Sequence, residues 1–126
     1  MLDIKYVAGL IDGEGCISLT IIHGKNLYPH LKVKMTHRGI IETLHQQFGG
    51  SFTIERPLGN RQEAYSWQTS GQTTMKVIKQ VQPYLIVKQP QAKLVTMFDK
   101  LGVNDDQTVN NTFKTLMHKY NQRGSK

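Results

Sequence analysis

The spacing of hydrophobic residues changes between a helical and a strand period along the chain. From Asp3 to Asp12 apolar residues recur every three or four positions, which predicts a helix with Asp3 as its N-cap. The segment from Cys16 to His23 alternates apolar and polar residues and is rich in β-branched side chains, which predicts a strand. Gly13 and Gly15 stand between these segments and are expected to end the helix.

Both patterns recur through the rest of the chain. Alternation predicts a second strand over Leu31 to Thr36, after a turn that includes Pro29, and a second hairpin with strands around Phe52 and Tyr65. Helical spacing returns in four segments: 39–48, 75–83, 90–101 and 106–120. The order α-β-β-α-β-β-α, followed by further helices, indicates an α+β fold in one domain over residues 1–120, with a polar, flexible tail at 121–126.

Such a fold places helices on one face of an antiparallel sheet and leaves a polar face on the other. Strand parity assigns these residues to the polar face: Ser18, Thr20, Lys32, Lys34, Thr53, Ser66 and Gln68. The face is either a solvated surface or a ligand-binding surface.

Composition narrows the function classes. The chain of 126 residues has a formal net charge of +7 and one cysteine, so an internal disulfide is excluded. No apolar run approaches the roughly 18 residues of a membrane span, and we expect neither a membrane anchor nor a signal peptide. From Ala64 to Phe98 there is no acidic residue, which favours a polyanionic partner such as nucleic acid.

The first helix carries the most informative residues. Ala8 and Gly9 leave one helix face without bulk, and the Gly9–Gly13 spacing allows two helices to approach closely. Asp12 and Glu14 stand at the helix C-terminus, where acids oppose the helix dipole unless a cation is near. Mg²⁺, or another divalent ion such as Mn²⁺, is the natural candidate; the alternative is a pair of solvated acids beside glycine caps.

The segment from Tyr6 to Gly15 resembles the signature of the LAGLIDADG homing endonucleases. Val7, Gly13 and Glu14 stand in place of the family's first Leu, second Ala and second Asp. The resemblance implies a concave sheet that receives double-stranded DNA, with helices behind it. It also implies that the chain, which has one motif, forms a homodimer through Ala8, Gly9 and Asp12.

The resemblance further implies a set of site residues. Glu14, with the Gly13 carbonyl, would hold the metal, and Lys88 would match the basic residue that family members place near the cleavage centre. His37 follows the second strand, where the family commonly carries a glutamine that organises water. For Lys88 and His37 the alternatives are an ordinary helix-entry lysine and a surface histidine.

The expected DNA contacts are Ser18, Thr20, Lys32, Lys34, Arg56, Arg61, Ser66 and Gln68. Arg56 and Arg61 flank a hairpin turn and are either phosphate contacts or exposed turn residues.

The implied activity is a metal-dependent double-strand break at a long pseudo-palindromic DNA site, promoting intron or intein homing, with no small-molecule cofactor. An inactive relative that serves as an RNA maturase or a DNA-binding regulator, and a small interaction module, are the other classes. An organellar, bacterial or phage origin is compatible with the sequence.

Overall fold

The computed structural model describes residues 1–22, 24, 26–56, 59, 62–103 and 105–124, with side chains up to residue 122. These residues form five α-helices and four β-strands. In chain order the elements are α1 (Ile4–Glu14), β1 (Gly15–Ile22), β2 (Asn26–Met35), α2 (Arg38–Phe48), β3 (Ser51–Glu55), β4 (Ala64–Ser70), α3 (Gln72–Val81), α4 (Gln89–Leu101) and α5 (Gln107–Gly124). A 3₁₀ turn, Gln82–Tyr84, joins α3 to the segment that leads into α4.

The four strands form one antiparallel sheet with the order β1-β2-β4-β3. The predicted α+β class and the order α-β-β-α-β-β-α are therefore confirmed. Val33 pairs with Gly15 on one side and with Trp67 on the other, so the centre of the sheet joins both hairpins.

The helices lie on one face of the sheet and bury its apolar side chains. Trp67 is fully buried at the centre of this core, and its indole N–H donates to the Gly49 carbonyl at 2.7 Å. Ile17, Leu31 and Val33 of β1 and β2 are fully buried on the same face. Because every second residue of each strand points away from the helices, the opposite face carries the polar residues that the alternation predicted.

The junction between α1 and β1 differs from the prediction. Gly13 does not end α1: the helix continues through Glu14 and ends at Gly15, whose backbone is extended and whose N–H donates to the Ile11 carbonyl. A Cβ at position 15 would lie 2.9 Å from the Ile11 Cα and carbonyl oxygen. This close approach explains the glycine at the junction, and it fixes Glu14 as the last residue of the helix.

Strand β2 is also longer than predicted, because Pro29 lies inside it and not in the turn. Pro29 pairs with Leu19 of β1 and lies just past the last β2–β4 pair, His30 with Ser70. On the side of β2 that faces β4, Pro29 takes part only through its carbonyl, which accepts a hydrogen bond from the Gly71 N–H at 2.9 Å. A missing N–H is tolerated at such a position.

Helix α5 continues to Gly124, past the predicted end at residue 120. The Asn121 side chain donates to the Ile17 carbonyl at 3.1 Å, which ties this last turn to β1. Within the described part of the chain, no helix has the length and apolar character needed to cross a membrane.

Candidate metal site and nucleic-acid interface

The C-terminus of α1 presents Glu14 at the edge of the sheet. The Glu14 side chain is exposed and lines an open cavity of about 400 Å³ together with Lys34, Met35, Thr36 and Ala64. Glu14 directly precedes Gly15, which pairs with Val33, the neighbour of Lys34 on β2. The cavity is therefore lined by a carboxylate at the end of α1 and by a lysine of β2.

Asp12 is held quite differently from Glu14. Its two carboxylate oxygens accept the backbone N–H groups of Ile86 and Lys88, at 2.8 and 2.9 Å. These donors come from the segment that enters α4, more than 70 residues along the chain. Asp12 thus needs no cation, and its carboxylate is used inside the chain. The place of Asp12 in a dimer interface stays a prediction.

Lys88 lies beside the same helix end. Its side-chain ammonium donates to the Asp12 carbonyl at 3.1 Å, and the residue is only 8% exposed. A cation at the carbonyl end of a helix offsets the negative end of the helix dipole. The sequence-predicted neighbours Glu14 and Lys88 are therefore brought to the same helix terminus.

The residues at this terminus fit a divalent cation of the Mg²⁺ type. Glu14 offers an exposed carboxylate, and the Gly13 carbonyl belongs to the last helical turn, whose carbonyls lack intrahelical partners. Across the described residues, no three His, Cys, Asp or Glu side chains cluster as a metal site. Mg²⁺ is commonly held by one or two carboxylates plus substrate phosphates and water, so this sparse set of oxygen ligands suits it.

The exposed face of α1 does not include Ala8. Val7, Ala8 and Ile11 are fully buried against the chain's own core, so Ala8 has no surface to offer a second copy. Gly9 and Gly13 are exposed instead, and a Cβ on either would meet no atom within 4 Å. Ala8 is therefore withdrawn from the predicted interface, whereas Gly9 stays in it and Gly13 is exposed on the same helix.

His37 is placed as a helix cap. Its Nδ1 atom accepts the Ile40 N–H at 3.1 Å, which satisfies one of the free donors at the start of α2. The residue that lines the cavity with Glu14 is its neighbour Thr36. The catalytic role of His37 stays a prediction, and Thr36 is the polar side chain that lines the cavity with Glu14.

The polar sheet face holds a small ionic cluster. Glu55, at the end of β3, bonds to Lys34 at 2.7 Å and to Lys32 at 3.5 Å. The hydrogen bond from Lys34 lowers the pKa of Glu55, and the nearby Ser66 hydroxyl and Lys32 charge act in the same direction against a small cost of desolvation. The two lysines predicted to contact DNA are thus partly neutralised by an acid that the sequence analysis did not select.

Ser66 is not available for a DNA contact in this structure. It pairs with Lys34 on β2 and Thr53 on β3, and it is fully buried beneath the neighbouring side chains. Ser18 and Thr20 on β1 are partly exposed on the same face, and Cys16 is exposed beside them. Ser66 is therefore withdrawn as a contact, whereas Ser18 and Thr20 remain candidates.

His30 and Gln68 form a second pair on this face. The His30 Nε2 atom and the Gln68 Oε1 atom are 3.0 Å apart across β2 and β4. Burial lowers the pKa of His30, the hydrogen bond to Gln68 raises it in part, and the charge of Lys32 lowers it further. His30 lies two residues before Lys32, so strand parity could have identified it from the sequence as a residue of the polar face.

The hairpin between β3 and β4 carries the two predicted arginines. Arg56 is exposed and bonds to Glu63 at 2.6 Å across the hairpin. Arg61 lies outside the described residues. Arg56 remains a candidate phosphate contact that would exchange its carboxylate partner for a phosphate.

The architecture is similar to that of solved homing endonucleases. The homing endonuclease I-CvuI, in complex with its target, matches with a TM-score of 0.70 and 22% identity over 94% of this chain and 80% of that one. The archaeal intron-encoded I-Vdi141I, complexed with DNA, matches with a TM-score of 0.70 and 19% identity over 94% and 82% of the two chains. I-SmaMI, bound to an uncleaved DNA target with calcium, matches with a TM-score of 0.70 and 20% identity, and this chain covers 46% of it.

The structural neighbours are LAGLIDADG homing endonucleases, and the fold of this chain is the fold of that class. The given sequence carries one copy of the motif, at residues 7–15. No protein-family model and no curated protein matches the sequence.

Proposed function

We propose that the protein is a site-specific endonuclease that hydrolyses one phosphodiester in each strand of duplex DNA with the help of a divalent cation. The observation that carries the proposal is the exposed Glu14 carboxylate at the end of α1, in an open cavity at the edge of the uncovered polar sheet face. The similarity of fold to endonucleases solved with DNA supports the choice of partner.

Residues in the cavity and at the adjoining end of α1 would divide the chemistry between them. Glu14 and the Gly13 carbonyl would hold Mg²⁺ or Mn²⁺, and the bound ion would activate water and neutralise charge on the leaving oxygen. Thr36 can orient a water molecule through its hydroxyl. Lys88 supports the end of α1 and keeps two further N–H donors for a phosphate oxygen, since an ammonium group has three.

The sheet face would provide the contacts to DNA. Lys32 and Lys34 can donate to base edges or to phosphates, and the His30–Gln68 pair offers further donors and acceptors two rows along. Ser18 and Thr20 extend the same face along β1. Because the face combines two lysines with several uncharged hydrogen-bonding groups, it favours recognition of a specific base sequence over binding to phosphates alone.

Cleavage of both strands requires a second copy of the chain, because the described residues contain one such carboxylate site. Gly9 and Gly13 give α1 an open face on which a twin helix can pack closely. The adjoining loop exposes two large apolar side chains, Ile86 (82%) and Val87 (54%), beside the Asp12 contact. A two-fold dimer through this surface would place the two Glu14 residues near each other and would read a roughly palindromic site.

A cleavage selection tests the proposal. A library of plasmids with randomised inserts, together with the intronless form of any gene that the coding sequence interrupts, is incubated with the protein and Mg²⁺ or with EDTA. We expect ion-dependent linear products from a small set of sites, and at least a hundredfold slower cutting by Glu14→Gln with binding retained. Sequence-specific binding without cutting would instead show a DNA-binding regulator, and Glu14→Gln that cuts normally would refute the metal role.

A further inference from the structure

The cavity beside Glu14 contains a cation that is not paired with it. Lys34 and Glu14 line the same space, where the end of α1 meets the β1–β2 pair. A lysine in this place is the natural ion-pair partner of Glu14. The Lys34 ammonium is instead bonded to Glu55, 2.7 Å away on β3.

The position of Glu55 in the sheet explains this choice of partner. Glu55 pairs with Ala64 at the end of β4, two rows beyond the Lys34–Ser66 pair and on the same face, so its carboxylate can reach back across β4. There it accepts from Lys34 through one oxygen and lies 3.5 Å from Lys32 through the other. Both lysines therefore share the Glu55 carboxylate, and the Lys34 ammonium is bonded to Glu55 and not to Glu14.

A free Lys34 would compete with the cation at Glu14. A carboxylate that forms an ion pair with an ammonium group has fewer lone pairs and less charge to offer a divalent ion. Mg²⁺ is bound here by few protein ligands, so its binding depends strongly on the one carboxylate. Any group that removes Lys34 from the cavity therefore strengthens the metal site.

We propose that Glu55 is a positioning residue that diverts Lys34 from Glu14 and so keeps the Glu14 carboxylate available to a divalent cation. This inference rests on the proposed function, since it deepens the description of the same metal site. Glu55 touches neither the ion nor the reacting phosphate; it acts through Lys34.

The test is a titration of the full-length protein with Mn²⁺, followed by paramagnetic broadening of the Gly13 and Gly15 amide signals in ¹H–¹⁵N NMR spectra. We expect Glu55→Gln to raise the apparent Mn²⁺ dissociation constant about two- to fivefold, the range expected for competition by one exposed ion pair. The double variant Glu55→Gln/Lys34→Met should return the constant to the wild-type value, because the competing ammonium group is gone.

A matched control separates this effect from a general change in charge. Glu42→Gln also removes one negative charge and breaks an ion pair, that of Arg38 on α2 at 3.2 Å. It should leave Mn²⁺ binding unchanged. The proposal is overturned if Glu55→Gln binds Mn²⁺ like the wild type, or if removing Lys34 fails to restore binding. Absence of broadening at Gly13 and Gly15 in the wild type would overturn the metal site itself, and with it both proposals.

Discussion

Two carboxylates only two positions apart, Asp12 and Glu14, have opposite surroundings. Asp12 accepts two backbone N–H groups from the segment before α4, so its charge is satisfied inside the fold. Glu14 lies two residues further along the chain and faces an open cavity. The difference follows from the helical turn, which points neighbouring side chains in different directions. At the scale of the residue, it is this exposure that makes Glu14 the candidate metal ligand.

The His30–Gln68 pair gives a prediction on pH dependence. Burial lowers the pKa of His30 below its ordinary value of about 6.5, so the folded protein takes up this proton less readily than the unfolded chain. The free energy of unfolding should therefore be highest above pH 6.5 and should fall as the pH drops below it. Urea denaturation between pH 7.5 and 5.5 should show a smaller decline in His30→Gln than in the wild type.

NMR signals of the His30 ring report its protonation directly, so they test whether His30 causes the predicted fall in stability. Equal declines in the two proteins would show that His30 does not contribute to the pH dependence of stability.

At the scale of the element, α1 is a helix with one buried face and one open face. One face, with Val7, Ala8 and Ile11, is fully buried in the core, and the other presents Gly9 and Gly13 to the outside. Its last residue, Glu14, is delivered to the edge of the sheet because β1 follows without a loop. The open face and Glu14 therefore belong to one helix of eleven residues.

Substitutions on the two faces of α1 should change different properties: dimerisation for the open face, and the stability of the monomer for the buried face. Gly9→Leu should leave the monomer folded but raise the dimer dissociation constant at least tenfold, because the added side chain prevents close helix approach. Ala8→Leu should instead destabilise the monomer by about 1–3 kcal/mol, the usual cost of overpacking a filled core. Analytical ultracentrifugation and urea denaturation separate the two outcomes. A Gly9→Leu variant that dimerises like the wild type would remove α1 from the interface.

The elements were predictable from the sequence because their signals are local. Apolar periodicity located the helices and strands, and strand parity placed Lys32, Lys34 and Gln68 on one face. The failures involve contacts between distant segments. The bonds from Ile86 and Lys88 to Asp12, and the burial of Ser66 beside Glu55, depend on the packing of elements that no local pattern describes. The capping bond of His37 was not predicted, because a capping side chain and a site residue look alike at a helix start.

At the scale of the whole molecule, the net charge of +7 is only loosely connected with the candidate DNA surface. On the polar sheet face, Glu55 offsets the lysines, and the remaining side chains are mostly uncharged donors and acceptors. Such a face favours contacts to base edges over binding to any phosphate backbone. Two copies related by a two-fold axis would double this surface and supply one Glu14 to each DNA strand.

Mixed dimers test this central claim most directly. Wild-type and Glu14→Gln chains carrying different affinity tags are co-expressed, and dimers with one chain of each kind are isolated and incubated with a plasmid that holds a selected site and with Mg²⁺. We expect the mixed dimer to nick one strand and leave an open circle, whereas the wild-type dimer yields linear plasmid. Linear plasmid from the mixed dimer at the wild-type rate would contradict the account, because one Glu14 would then suffice for both strands.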